Sequence, residues 1–496
     1  MFKLPAICLL VALGTGSTLL AQSGLSGPPI SILKGVSPPL QPTKCTGQTG
    51  LACVLPNLYG PYGLVLPNST HAAHFNAMFQ ANFSALNTAI ATQLTLLPLA
   101  SPASGFTYQF DGSTGVYTRS AETFGPVLTE RAETIGRHKF YVGASMQRFR
   151  FDKLDGIPLH NVPVVFSHQE NTFRGAPEPF EQQFISTDNS LDLKINQFTF
   201  FANYGLTDHV DVSIAVPILE VGFNAASYAT INRIQNTEPL GFRNGVFVPC
   251  CSNGPPFAHF FDPNDTRNST HRTFSNNQFP LSSTDSQGLY SDPSKTSASG
   301  LGDIILRFKA GVYRTDRMSL ALLTDVRLPT GDEKDFLGSG AYGFKPFAAL
   351  SVRTGRLTPH VNLGYQWNGS SLLGGNISTG DKSKLPGFAF FSAGTDFAVW
   401  HRLTLAVDYL GQELINAPRV NNSTYTSLGP LTTTGQTGTF ATISEMKQTY
   451  NQSNAAFGFK YNLFGQLLLT GNMLVALNDG GLRERVVPLI GLSYAF

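Results

Sequence analysis

The sequence predicts an all-β fold: a transmembrane, antiparallel up-and-down β-barrel of about twelve strands, fourteen being the alternative, with an N-terminal helical plug segment. Three observations predict it: composition, a period-two alternation, and the sorting of connections by length. Charged residues make up only 13% of the 496-residue chain, while aromatics reach 11%, with 38 Phe and 48 Gly. A soluble domain carries about 25% charged residues. No window after the N-terminus holds the roughly 20 apolar residues of a spanning helix. A closed barrel, which pairs every backbone N–H and C=O between strands, is then the remaining membrane solution. The net charge of +2 comes with no Lys/Arg run, so nucleic acid is not an expected partner.

Residues 1–21 read as an export signal: Lys3 supplies the positive start, Ile7 to Leu13 a short apolar core, and Ala21 the small residue before a cut at Gln22. The apolar stretch is too short for an anchor, and Gln22 and Ser23 stand where a lipoprotein has Cys. Cys8 leaves with the signal. Cys45 and Cys53 flank Gly-rich turn residues and can bridge in an oxidising compartment. Cys250 and Cys251 are adjacent and either form a vicinal disulfide or stay reduced; the structural reading is preferred, since neither pair has zinc-site spacing. No metal or cofactor is expected.

Residues 22–137 form an N-terminal segment. Within it, residues 71–97 carry Phe75, Met78, Phe79, Phe83, Leu86, Ile90 and Leu94 at helical spacing, between Thr70 as cap and Pro98 as stop. This helix holds no Lys, Arg, Asp or Glu, and its other face, Asn76, Gln80, Asn87 and Gln93, suits contact with polar barrel walls. It reads as a plug or hatch, or alternatively as a periplasmic coupling helix or an oligomer contact. Residues 106–118 suggest a hairpin whose arms are shorter than the 9–11 residues of a spanning strand, so it stays out of the wall. Residues 119–137 are charged and read as a connection.

From residue 138 to 496 the pattern is that of the barrel. In 357–367, Leu357, Pro359, Val361, Leu363, Tyr365 and Trp367 point one way and Thr358, His360, Asn362, Gly364 and Gln366 the other. A membrane barrel turns the apolar set to lipid and the polar set to the lumen. Segments 304–312, 403–409 and 454–462 repeat the pattern. Strands are expected near 138–151, 190–204, 209–222, 301–313, 317–329, 342–354, 357–368, 387–399, 402–413, 452–463, 465–477 and 483–496. The first two lose their alternation near Arg148 and Asn196, from a bulge or from emergence out of the bilayer. Short turns alternate with longer loops at 152–189, 223–300, 330–341, 369–386, 414–451 and 478–482. Outer-membrane barrels place short turns in the periplasm and longer loops outside, which puts both termini in the periplasm. Leu492 to Phe496 end a period-two strand on Phe, which resembles the recognition signal read by the barrel-insertion machinery.

No nucleophile elbow, zinc-protease box, Walker loop or dinucleotide turn is present. Thr358, His360 and Asn362 share a face, with no serine beside them on that strand. The expected lumen holds Asp211, Asp303, Arg307, Lys309, Asp325, Arg327, Lys345, Arg353, Asp396, Asp408 and Lys460. These either pair to stiffen a filled interior or form an ionic lining. Loop 223–300 carries Phe242, Phe247, Phe257, Phe260, Phe261, Phe274 and Phe279, read as an apolar entry patch or as a cluster packing the loop over the mouth.

Asn203 to Asp211 running to Val216-Pro217, then Ser299 to Asp303 leading to Arg307-Phe308-Lys309, then Leu328 to Asp332, together resemble an outer-membrane family described as the MetA pathway of phenol degradation. The similarity runs over roughly residues 130–496. It implies a barrel admitting hydrophobic compounds, related to the long-chain fatty acid and aromatic hydrocarbon transporters, often with an N-terminal hatch. The Asn-Pro-Ala of the fatty acid transporters is absent, so their gating is not carried over. The expected function is passive uptake of small hydrophobic solutes, in contact with outer-membrane lipid and lipopolysaccharide and with no enzymatic activity. A structural or surface-binding barrel and a barrel-type lipase are the alternatives.

Overall fold

The computed structural model describes residues 50–55, 76–97, 107–111, 116–119, 122–167, 183–234, 242–243, 246–247, 270–274, 296–377, 380–431 and 433–496. The export signal, Cys45, Cys250, Cys251, Phe257, Phe260, Phe261 and Phe279 lie outside the described residues.

Twelve strands form the wall: β1 (Phe140–Phe151), β2 (Phe184–Gly205), β3 (Val210–Asn232), β4 (Ile304–Arg314), β5 (Met318–Leu328), β6 (Gly343–Val352), β7 (Leu357–Asn368), β8 (Phe388–Trp400), β9 (Leu403–Thr426), β10 (Thr439–Phe464), β11 (Leu467–Ala476) and β12 (Val486–Ala495). Each pairs antiparallel with its neighbour in sequence, and β12 pairs with β1 over Leu489–Ala495 against Tyr141–Gln147. The ring is closed, so the wall offers no free edge. Short connections follow β2, β4, β6, β8 and β10, and longer ones follow the odd-numbered strands. The two ends are called here the turn end and the loop end. All twelve expected strands are present, and the alternative of fourteen is excluded.

Every strand presents a large apolar side chain outward: Met146, Phe200, Ile214, Phe308, Leu322, Phe344, Leu363, Phe391, Leu405, Phe457, Met473 and Ile490 are all exposed. A continuous belt of that size belongs against hydrocarbon rather than water.

Four strands outrun their expected lengths. β2 starts at Phe184, β3 continues to Asn232, β9 reaches Thr426, and β10 starts at Thr439. The regions 223–300 and 414–451, expected as loops, are therefore partly strand, and Thr270–Phe274 and Ser297–Leu301 also pair onto β3. A spanning strand needs only about 9–11 residues, so the excess rises beyond the belt.

The broken alternation at Arg148 and Asn196 is explained at the same place. The register Arg148↔Asn196↔Glu220 runs without a shift, so there is no bulge. Below this line β2 turns Phe198, Phe200 and Tyr204 outward and buries Gln197, Thr199 and Asn203. Above it Asn196, Lys194 and Asp192 turn outward, while Ile195, Leu193 and Leu191 are buried. β1 follows, with Arg148 and Arg150 out and Phe149 and Phe151 in; β3 follows with Glu220 and Asn224 out and Val221 and Phe223 in. Period two persists, but its chemical phase reverses where the belt ends.

Helix α1 (Asn76–Leu96, 21 residues) occupies the loop half. Its Ala85, Leu86, Ile90, Ala91 and Leu94 join one core with Phe149, Phe151, Leu193, Val221 and Phe223. This apolar face meets an apolar stretch of wall, while Gln93 on the other face borders Gln412, Gln452 and Asn454. Leu51 to Leu55 are buried in the same core, and Cys53 is disulfide-bonded. No described helix is long and apolar enough to cross a membrane. At the mouth, Phe184 packs on Tyr425 and Phe440 with ring centroids 4.8 Å apart in both cases, and Ile234 bridges to Leu431.

Candidate functional site: the barrel interior

Residues 122–137, expected as a charged connection, lie inside the turn half. Thr123 to Phe124 and Thr129 to Ile135 are buried, yet this segment has no helix or strand of its own. Its backbone polar groups must find partners elsewhere. They find them in the polar inward side chains of the wall. Thr404 Oγ1 accepts from the N–H of Phe124 (2.9 Å), Asn362 Oδ1 from Glu130 (2.9 Å), Ser351 Oγ from Ala132 (2.9 Å) and Asp211 Oδ2 from Ile135 (3.0 Å). Lys460 Nζ donates to the carbonyls of Phe124 (3.4 Å) and Pro126 (2.7 Å), Asn362 Nδ2 to that of Glu130 (2.8 Å) and Lys309 Nζ to that of Glu133 (3.1 Å). The wall's polar face thus does for this segment what a neighbouring strand does in a sheet.

The eleven charged residues singled out in the sequence fall into groups around this segment. Asp211 on β3 and Lys460 on β10 hold its backbone, as above. Arg353, after β6, donates to Glu133 Oε1 (3.2 Å) and to the carbonyls of Asp316 and Thr315 at the turn end. Arg307 on β4 forks onto Asp325 of β5 (2.6 and 2.8 Å) and also reaches Glu130, which Lys309 approaches at 3.3 Å. Lys345 on β6 stands 3.5 Å from the same Asp325. Arg327 on β5 donates to Asn368 Oδ1 (2.7 Å) and lies 3.7 Å from Asp303.

Asp303 explains two of the sequence motifs. It accepts from Ser339 N (2.8 Å), Ser339 Oγ (2.7 Å) and Gly331 N (3.2 Å), while Thr330 Oγ1 donates to Gly302 O (2.6 Å). A Cβ on Gly338 would stand 2.3 Å from Asp303 Oδ1, so only glycine fits there. Ser299 to Asp303 and Leu328 to Asp332 therefore form one clasp at the loop end. The third motif anchors the lumen segment: besides the Asp211 bond, Asp208 takes the Thr134 hydroxyl on its carbonyl (2.7 Å) and the Arg137 N–H on its carboxylate (3.2 Å).

His360 on β7 completes the interior with Asp396 on β8 and Asp408 on β9. Its Nε2 is 2.6 Å from Asp408 Oδ1 and 2.9 Å from Thr129 Oγ1; its Nδ1 is 3.2 Å from Thr358 O and 3.3 Å from Asp396 Oδ1. A hydroxyl, an imidazole and a carboxylate in sequence suggest a hydrolytic triad, but the roles do not fit. A carbonyl only accepts, so Nδ1 must donate to Thr358. Thr129 gives its proton to Asp408 (3.1 Å), and Nε2 faces that same carboxylate, leaving no nitrogen lone pair for the hydroxyl. The group clamps the lumen segment. Sequence reading missed Thr129, Glu130, Arg131 and Glu133; the one available signal was their buried-type partners on the wall.

Phe242 and Phe247 lie on a two-strand ladder in the long loop, and Phe274 ends the strand paired to β3.

The chain is similar to the crystal structure of the COG4313 outer membrane channel from Pseudomonas putida F1, at 10% identity, covering 74% of this chain and 99% of that one, with a TM-score of 0.40. It is similar also to the P. putida toluene transporter TodX, at 9% identity, covering 80% and 98%, with a TM-score of 0.30. At such scores the architecture rests on the strand pairings themselves. No curated protein matches the chain. The family model described as putative MetA-pathway of phenol degradation matches residues 219–382, a shorter stretch than the sequence motifs suggest. The matched stretch runs from within β3 past β7 and holds the clasp and most of the lumen charges.

Proposed function

We propose that this protein is an outer-membrane channel for passive uptake of small hydrophobic compounds, with its turn end in the periplasm and its loop end outside. One observation carries the reading: inside the barrel, beneath α1, a cavity stays unfilled, with Leu96, Leu97, Leu128, Phe388, Phe390 and Leu410 as its apolar lining. An apolar solute leaving water gains about 25 cal/mol for each Å² it buries on such a surface. Below it, the lumen segment stands in the path as an internal gate. The charged residues that reach the lumen segment, Asp211, Arg307, Lys309, Arg353, Asp396, Asp408 and Lys460, act here as the frame that holds the gate, and the loop aromatics as the entry patch. The outer-membrane address brings lipid, lipopolysaccharide and the insertion machinery as partners.

The filled lumen favours a second reading, a structural or surface-binding barrel. Solute flux separates the two. Liposomes holding the full mature chain are expected to take up toluene or a fatty acid faster than empty vesicles. Equal rates would leave only the structural barrel.

A further inference from the structure

Between the C-terminal end of α1 and the lumen segment lies a cavity of about 120 Å3. It sits where the apolar loop half meets the polar turn half, and its lining is divided accordingly. Leu96, Leu97 and Leu128 bound it with Phe388, Phe390 and Leu410. The charged side chains lining it are Arg307, Arg327 and Lys345 against Glu130 and Asp325, three cations to two carboxylates.

Lys345 is the most accessible cation of this set, its side chain keeping 26% of its exposure. Its carboxylate partner is shared: Asp325 Oδ2 accepts from Arg307 at 2.8 Å and stands 3.5 Å from Lys345 Nζ. The ammonium also lies over two ring faces, 4.7 Å from the centroid of Phe390 and 5.5 Å from that of Phe347. A cation held between an aromatic cage and a carboxylate already engaged elsewhere suits a second anion.

We infer that this cavity binds a small amphipathic anion, its carboxylate on Lys345 and its hydrophobic body against Phe390, Leu96 and Leu128. The inference takes the channel reading one step further by naming the substrate class. An uncharged hydrocarbon would lay apolar surface against the Lys345 ammonium, whose neighbouring carboxylate is shared with Arg307, and would give that charge no further partner. An organic cation meets an excess of positive charge. A fully polar anion gains nothing from the leucines and phenylalanines. An aromatic or aliphatic carboxylate satisfies both sides.

The test compares 4-butylbenzoate with 4-butylbenzamide, a neutral analogue of nearly the same shape, by calorimetric titration of the full chain in detergent. The benzoate is expected to bind about tenfold tighter, the range of a charge-assisted hydrogen bond. Lys345→Met should abolish that preference and Lys345→Arg should keep it, with heat-modifiable gel mobility reporting that each variant is folded. Equal affinity of the two probes for the unaltered protein, no binding of either, or a preference surviving in folded Lys345→Met would overturn the inference. Should Lys345→Met not fold, the two-probe comparison on the unaltered protein and on Lys345→Arg still decides. Flux is read separately: selective binding without flux sinks the channel and spares the site, and flux without selective binding does the reverse.

Discussion

Along β1, β2 and β3 the turn half and the loop half of this barrel are built from the same strands in one unbroken register, yet they are chemically inside out. Below the line through Arg148, Asn196 and Glu220, apolar side chains face outward and polar ones inward; above it the arrangement reverses. The surroundings account for it. Where the outside is hydrocarbon, the wall must be apolar outward, and its polar inward face is satisfied by a polar filling, here the lumen segment. Where the outside is water, the ordinary rule of soluble proteins returns, and the apolar inward face is covered by α1. Each half thus selects a filling of its own kind from the N-terminal chain.

Substitutions on either side of the line sharpen this contrast. The largest loss is expected for Phe149→Ala in the loop half, where a ring 1% exposed is removed from the core around α1: about 3–5 kcal/mol, read from urea unfolding in lipid vesicles. Phe200→Arg, on the outward face of β2 within the belt, should cost about 2–4 kcal/mol in the same assay. Asn196→Arg, four residues earlier on the same face of the same strand, should stay within about 0.5 kcal/mol, because water already lies there. A cost for Asn196→Arg matching that of Phe200→Arg would place the line wrongly.

The smallest effect concerns pH. Glu484, between β11 and β12 at the loop end, is pushed up to about 7 by burial, although the Arg150 N–H donates to it. The folded state therefore holds the proton more tightly than the unfolded chain does, so stability falls as pH rises from the ordinary carboxylate range through about 7. Unfolding midpoints compared at about pH 5 and about pH 8 should differ less in Glu484→Gln than in the unaltered protein.

The wall was legible in the sequence because lipid and lumen impose a strict period of two, and Leu363 and His360 announce their faces without help from the rest of the chain. The uppermost parts of β2 and β3, residues 184–189 and 223–232, were hidden by the phase reversal: Phe223 and Ala225 still alternate about Asn224, but in a stretch that reads as loop. The lumen segment was illegible for a different reason. A chain whose backbone bonds go to distant side chains has no period, and Glu130, Arg131 and Glu133 look like solvated charges until Arg307, Lys309 and Asp396 are placed around them. The clasp at Asp303 lay in plain view as motifs, whereas the contact between its two halves is set by tertiary structure alone.

The interior occupants precede β1 in the chain, and the seam between β1 and β12 joins the first strand of the wall to the last. A cylinder sealed beforehand would have to admit a 21-residue helix and a charged segment through its open end. Chain order offers the simpler course: the contents lie N-terminal to every wall strand, and the wall can close around them like staves around a core.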